Sequence, residues 1–549
     1  MGPVLATGRS LVRSQPAERV RRFVNRVTAS VPAPRSDPSL VLHDGVWMYP
    51  LDGRLPRAAT QENADFVLTL LDDLDIPYTE VRHTARIRAT VAVAMEDRTQ
   101  FLAQLISRGA PEAIYSMVLV EDVPATWGPR VSDVFRVPAT PTPLSKLAKH
   151  VDTVAALRIW RFYLDPGSGL VLGGEYGCDI EFWARRGTAD STQWLAPRAN
   201  VAGLVFSASD VNLAPRARHG ARSSPVFDKQ MIDDIVFPID VVYTWVDDAD
   251  PAWREKFERF SGRSPTDHHR QARAEQRFRS RDELRYSLRS LDMYAPWVRN
   301  VYIVTDGQDP GFIDFDNERI RLIDHRDIAH DPAALPVFNS NAIISWLHRI
   351  PGLSEHYVYV NDDVFFGRDT NPALLFTPSG LAKVFPSNNR RPFGDPTPDD
   401  EPHVNISRNI RALLERDFGR TISRSVKHTP HAQLISIQEE MEKRFPDAYA
   451  RTSRSRFRHH DDIAADQLFH YYAQITGRAV VDRIRYAYVN IGDRDTTAEL
   501  TRLLVERTRD VFCLNDAPAD GVLPIDDATV RAFLEAYFPV PSTFELRSD

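Results

Sequence analysis

Residues 235–253 read IVFPIDVVYTWVDDADPAW. The run Ile239–Val246 is β-branched and aromatic, as expected of a buried strand, and it stops at Asp247, Asp248 and Asp250. The same grammar recurs downstream. RDELRYSLRSL (281–291) puts Leu284, Leu288 and Leu291 on one helical face, and Pro296 breaks the pattern before a strand, Val301–Val304, that ends in Thr305-Asp306-Gly307. RIRLIDH (319–325) is a further short strand ending in an acid, and FNSNAIISWLHRI (338–350) reads as an apolar helix stopped by Pro351-Gly352. HYVYVNDDVFFG (356–367) is an apolar run ending in Asn361-Asp362-Asp363. Strand, helix, strand, helix, strand implies an α/β fold: a mostly parallel sheet with flanking helices.

Ligands of such open sheets bind beyond the carboxyl ends of the strands. A single acid there is an ordinary turn residue, but here acids recur at three or four strand ends. Two or three converging carboxylates suit a hard cation such as Mg²⁺ or Mn²⁺, with diphosphate oxygens completing its shell. Asp362 and Asp363 are the strongest candidates, because an acid pair set in a hydrophobic strand is poorly explained by solvation.

Two segments hold paired histidines. Lys427-His428-Thr429-Pro430-His431 places Pro430 where a helix would begin, with His431 inside its first turn, and RFRHHDD (456–462) leads into the amphipathic helix IAADQLFHYYAQITG. One chemical reading makes His428 or His431 a general base for a hydroxyl, with Arg456 or Arg458 stabilising phosphoryl charge. The other assembles these histidines with Asp461 and Asp462 into a zinc site for hydrolysis, although H-x-x-H departs from the usual helical i, i+4 spacing. HRQARAEQRFRSR (269–281) offers Arg279 or Arg281 as a phosphate fork, or else a solvated helix face. Residues 376–402, rich in Pro, Asn, Arg and Asp, read as a surface excursion or an acceptor-binding loop.

The remainder is plainer. Residues 1–40 form a basic tail and a Pro/Ser linker, and residues 41–225 an α+β domain without a catalytic constellation. In that domain Thr60 is expected to cap a helix stopped by Pro77, strands are expected at Val91–Met95 and Met117–Val120, and residues 158–174 read as a hairpin. Residues 235–500 carry the chemistry, and residues 501–549 read as a helical extension. At 549 residues the chain allows two to four domains, and a net charge of −7 leaves no footprint for nucleic-acid binding. Seven of the 68 basic residues are Lys, an imbalance best read as compositional bias toward Arg. Two cysteines, Cys178 and Cys513, build neither a disulfide framework nor a cysteine-based metal centre. The N-terminus lacks the apolar core of a signal peptide, so a cytoplasmic location is expected. Val20, Phe23, Val24 and Val27 among arginines admit peripheral contact with an anionic membrane, or simply a short packing helix.

Taken together, IDVVYTWVDDADPAW, RDELRYSLRSLDMYAPWVRNVYIVTDGQ, VYVNDDVFFGRD, and HTPH with RFRHHDDIA resemble, in order, the four conserved blocks of the Stealth family. The resemblance covers about residues 235–475; where the family often has Gly in the first block, this chain has Asp248. It implies a GT-A-like sheet, a divalent metal, and transfer of a sugar-1-phosphate, such as GlcNAc-1-phosphate, from a nucleotide-diphosphate sugar to a polysaccharide hydroxyl with release of nucleoside monophosphate. On that basis Asp362 and Asp363 would hold the metal and Asp247 would lie near metal or nucleotide. His428 would be the base and Arg458 the phosphate clamp, with Arg281, Asp282 and Glu283 near the donor and Asn361 orienting a ligand. A glycosyltransferase releasing nucleoside diphosphate, a metal-dependent hydrolase and a non-catalytic glycan-binding protein are the competing expectations.

Overall fold

The computed structural model describes residues 38–83, 88–109, 112–119, 142–144, 147, 154–187, 192–211, 213, 223–261, 280–516 and 525–547. The basic stretch at 20–27, most of the Pro/Ser linker and Arg279 lie outside them. The chain divides into two compact units, residues 1–232 and 233–549.

The first unit is α+β. Its long strand Cys178–Arg186 pairs in parallel with Ala89–Ala94 and antiparallel with Ala156–Arg161 and Gln193–Asn200. The helices Pro56–Asp73 and Arg98–Gly109 bury Val67, Leu71, Phe101 and Leu105 in one core with Val91, Ile180 and Phe182 of that sheet. Thr60 does not cap the first helix. The helix starts earlier, at Pro56, whose fixed φ suits a first turn, and the Thr60 hydroxyl donates inside it to the Pro56 carbonyl. The expected hairpin is present: Tyr163–Leu164 pairs with Val171–Leu172 across a turn in which Gly169 has φ 75° and Asp165 accepts from the Ser168 N–H. Buried acids on the long strand are paired. Asp179 meets Arg158 at 2.6 Å and Arg198 at 2.9 Å, while Glu181 accepts from the Trp183 indole at 3.0 Å.

The second unit is built on a five-stranded sheet. Its strands are β1 (Ile239–Thr244), β2 (Val301–Thr305), β3 (Ile320–Asp324), β4 (His356–Asn361) and, after a short β5 (Val364–Phe366), β6 (His431–Leu434). The order is β3-β2-β1-β4-β6, parallel except for the antiparallel edge β6. The helices α1 (Pro251–Ser261), α2 (Glu283–Tyr294), α3 (Pro402–Phe418), α4 (Ile435–Arg444) and α5 (Ala465–Ile475) belong to this unit. Its central strands β1, β2 and β4 are largely apolar on both faces, so Val241, Val242, Ile303, Val304, Val358 and Val360 are all buried.

The expected helix start at Pro430 is corrected: His431–Leu434 continues the sheet as β6, and the helix begins at Ile435. Here β4 offers an open edge, and antiparallel pairing of His356 with Leu434 through Tyr359 with His431 outweighs the local preference of Pro430 for a helix's first turn.

Residues 501–549 are also not a mere helical extension. They contribute β8 (Val511–Asn515), which pairs antiparallel with β5 and parallel with β7 (Tyr486–Asn490), and then α6 (Asp527–Tyr537). No helix among the described residues is long and apolar enough to cross a membrane.

At the end of the sheet opposite the strand-end acids, Asp240 is fully buried and accepts from Arg299 Nε at 2.8 Å, the Asn300 N–H at 3.1 Å and the Ser354 N–H at 2.8 Å. Removing it leaves the Asn300 and Ser354 N–H groups without their acceptor, while Arg299 keeps the Gly352 carbonyl. Asp240→Ala is expected to destabilise this unit by about 1–3 kcal/mol, read by calorimetry as a lower unfolding midpoint. An unchanged midpoint would show that water replaces the carboxylate without loss.

Candidate active site

Thr244 of β1 pairs with Asn361 of β4, so both chains leave the sheet at the same edge. The acids at that edge have different fates. Asp324 caps the short helix His325–Ile328 and also binds Arg326, while Asp306 pairs with Lys256 at 3.0 Å. Asp250 caps α1 through the Ala252 N–H and accepts from Gln308 Nε2 at 3.1 Å. Asp247 accepts from the Ala249 N–H, and its backbone is held by both ends of the Gln308 amide. These acids order turns.

Asp362 and Asp363 occupy the turn between β4 and β5. Tyr243 of β1 donates to the Ser287 hydroxyl of α2, which donates in turn to the Val364 carbonyl at 2.7 Å. On the other side the Leu514 N–H of β8 donates to the Asp363 carbonyl at 3.0 Å. The turn is therefore clamped between a helix and a second sheet. Burial pushes the Asp362 carboxyl well above the usual carboxylate range, and the charges of Glu283 and Asp363 push it further. Glu283, the first residue of α2, is raised by burial and by Asp363. Three carboxylates thus crowd a poorly hydrated site.

His428 lies against this crowd. Its Nε2 is 3.2 Å from Asp363 Oδ1 and 2.9 Å from Asn361 Nδ2. Unprotonated, that nitrogen accepts from the Asn361 amide; protonated, it donates to Asp363. Both protonation states have a partner, as proton transfer requires. Burial alone would lower the pKa of His428, but the Asp363 charge and hydrogen bond outweigh it and raise the net value. Cys513 of β8 completes the cluster, with Sγ 3.4 Å from Asp363 Oδ2.

Arg458 donates through Nη2 to the Ser340 hydroxyl at 2.7 Å, and burial pushes its pKa down to about 10. The loop bearing it is anchored by aromatic packing: Phe457 stacks on Phe338 at 5.3 Å, Trp253 of α1 packs on Phe338, and Arg456 lies 4.4 Å over Phe260. Arg456 also donates to the Pro336 carbonyl, so it serves that anchor.

Several candidates fall elsewhere. Both nitrogens of the His431 ring are engaged, Nδ1 with Asp466 Oδ2 at 2.8 Å and Nε2 with the Lys427 carbonyl at 3.1 Å, so the ring is committed to a buried contact. The Arg281 fork is occupied: it binds Asp527 at 2.7 Å and Asp516 at 2.5 Å, with Glu283 3.5 Å away. In this structure it ties the start of α2 to the C-terminal segment, and the reading of it as an open phosphate fork is corrected. Asp282, in the left-handed region at φ 69°, pairs with Arg531 at 3.5 Å and is half-buried. His459, His460 and Asp461 have ligand atoms within 4.8 Å of one another, but Asp462 is committed to Asn339 and the His459 N–H.

The contribution of Cys513 was not anticipated from sequence. A signal was present, since VFCLND (511–516) is another apolar run ending in Asn-Asp, like VYVNDD.

Four family regions match the chain: Stealth conserved region 1 at residues 237–265, region 2 at 277–384, region 3 at 427–474 and region 4 at 501–549. Two of the sequence segments quoted as separate blocks thus fall within region 2, and the fourth region is the C-terminal segment that supplies β8. Among relatives, exopolysaccharide phosphotransferase SCO6023 of Streptomyces coelicolor is 38% identical, covering 89% of this chain and 83% of that protein. Exopolysaccharide phosphotransferase CpsY of Mycobacterium tuberculosis is 32% identical, covering 94% of each. The solved galactosyltransferase LgtC, in complex with donor and acceptor sugar analogs, aligns with 53% of this chain at 12% identity and a TM-score of 0.27, too distant to bear on the site. The relatives span both units, and all four regions fall in the unit that holds the carboxylate–histidine cluster, so the chain is a member of the Stealth family.

Proposed function

We propose that this chain is an exopolysaccharide phosphotransferase that moves a sugar-1-phosphate from a nucleotide-diphosphate sugar to a polysaccharide hydroxyl and releases nucleoside monophosphate. The observation that carries the reading is the pairing of His428 with Asp363 beside a carboxyl crowd. The names of the relatives support the same class of transfer.

A divalent cation suits the donor set. Asp362 and Asp363, with Glu283 behind them, are hard oxygen donors whose mutual repulsion and burial a cation would relieve. Mg²⁺ or Mn²⁺ held by Asp362 and Asp363 would supply charge neutralisation for the diphosphate oxygens. The remaining work falls to side chains. His428 takes the acceptor proton at Nε2 while the acceptor oxygen bonds to the sugar-side phosphorus and the bond from that phosphorus to the nucleotide's bridging oxygen breaks. Asn361 orients the unprotonated ring and Asp363 stabilises the protonated one. Arg458 clamps phosphoryl oxygens from a loop fixed by Phe457 and Phe338, and Asp247 and Gln308 shape the neighbouring edge. Arg281 holds Glu283 near Asp362.

The competing glycosyl transfer leaves a different nucleotide. Incubated with UDP-GlcNAc, Mg²⁺ or Mn²⁺ and candidate glycans, the protein is expected to release UMP and form a phosphodiester-linked product. Release of UDP would replace the proposal with simple glycosyl transfer, and free sugar phosphate without labelled acceptor would replace it with hydrolysis.

A further inference from the structure

Three different elements bring together an oxygen, a nitrogen and a sulfur ligand. Asp363 comes from the β4–β5 turn, His428 from the loop before β6, and Cys513 from the centre of β8, with one ligand atom of each within 4.8 Å of the others. The individual spacings decide what such a set accepts. Around tetrahedral zinc, nitrogen and oxygen ligands stand about 3.3 Å apart, and oxygen and sulfur ligands about 3.5 Å apart, as follows from metal–ligand lengths of about 2.0 Å and 2.3 Å. Here His428 Nε2 is 3.2 Å from Asp363 Oδ1 and Cys513 Sγ is 3.4 Å from Asp363 Oδ2, one carboxylate oxygen facing each of the other two ligands. The three ligand atoms are close enough for small side-chain rotations to bring them onto one ion, and the backbone is braced by the Asp363–Leu514 hydrogen bond.

The chemistry also differs from that of a carboxylate site. Mg²⁺ takes oxygen ligands and gains nothing from a thiolate, whereas a soft sulfur selects zinc-like ions. Cys513 is fully buried, but Asp363 and His428 keep 23% and 36% of their side chains exposed, so an ion would enter from their side.

We propose that Asp363, His428 and Cys513 form a site for a thiophilic divalent cation of the Zn²⁺ class, one that excludes catalysis when filled. On binding, a metal–sulfur bond forms, the Cys513 S–H bond breaks and the proton passes to water; nothing is oxidised or reduced. The ion occupies the His428 lone pair and the Asp363 carboxylate at once. The consequence for turnover rests on the reading of His428 as the base, while the binding rests on ligand geometry alone.

Co²⁺ tests the binding by absorbance in resting protein, without donor or acceptor, so the result is independent of which nucleotide the enzyme releases. Wild-type protein titrated with CoCl₂ is expected to develop a thiolate-to-cobalt charge-transfer band in the near ultraviolet, with tetrahedral-type visible bands, and Zn²⁺ is expected to bleach both. Cys513→Ser should lose the charge-transfer band, Cys178→Ser should keep it, and His428→Gln should shift the visible bands. Absence of the band in saturated wild-type protein overturns the proposal whatever the variants do. So does a band that survives in Cys513→Ser.

Discussion

Asp363→Asn is expected to lower metal-dependent turnover by about 10³-fold, roughly 4 kcal/mol of transition-state stabilisation, while the protein keeps its fold. The two halves of this expectation come from the same geometry. Asp363 is the residue through which the carboxyl crowd touches the histidine, so losing its charge removes both a cation ligand and the partner of protonated His428. Yet that charge raises the pKa of both Asp362 and Glu283, an unfavourable repulsion in the resting protein. Removing it relieves like-charge crowding, and the backbone bond from Leu514 to residue 363 does not depend on the side chain. The unfolding midpoint should therefore stay within a few degrees of the parent or rise. Asp324→Asn is the contrasting variant: another strand-end acid, but one that caps a helix and binds Arg326. It is expected to cost about 1 kcal/mol of stability and to leave turnover close to the parent value. If Asp363→Asn retained turnover, the carboxylate pair would have no part in the chemistry. If it unfolded the protein, the crowd would be a structural element and not a strained site.

What was legible in the sequence follows from how local each signal is. β1, β2 and β4 announce themselves because a strand buried on both faces must be largely apolar, and β3, the edge strand, because its short run also ends in an acid where the chain turns. Which acid serves a turn and which a ligand is not a local property. Asp306, Asp324 and Asp362 follow similar runs, and only the approach of α2, β8 and the His428 loop separates the third from the others. The partners of Arg281 are invisible in the sequence for the same reason, since Asp516 and Asp527 lie 235 and 246 residues away. Cys513 was passed over as half of a pair that could make no disulfide framework, although it becomes a ligand candidate once β8 pairs with β5. The helix start expected at Pro430 failed against long-range pairing, because β4 needed a neighbour along its open edge.

The two histidines of the HTPH segment give the second large effect, because one sequence motif splits into two physical roles. His428→Gln is expected to reduce kcat by about 10²- to 10⁴-fold with little change in the unfolding midpoint. Glutamine preserves a polar contact to Asn361 and Asp363 but cannot take the acceptor proton. His431→Gln should act in the opposite way. His431 is buried with Asp466, and its two ring nitrogens are held by Asp466 and by the Lys427 carbonyl. Its loss leaves the buried Asp466 carboxylate without this hydrogen-bond partner beside the His470 ring, which itself sits 4.5 Å from His431. Such a break costs about 1–3 kcal/mol, so His431→Gln should lower the midpoint by a few degrees while the folded fraction retains most of its turnover. Measuring kcat and thermal unfolding on the same two preparations separates the roles. Equal losses of turnover from both variants at unchanged stability would mean that the proton passes through the His431–Asp466 pair, and the assignment of the base to His428 would then be wrong.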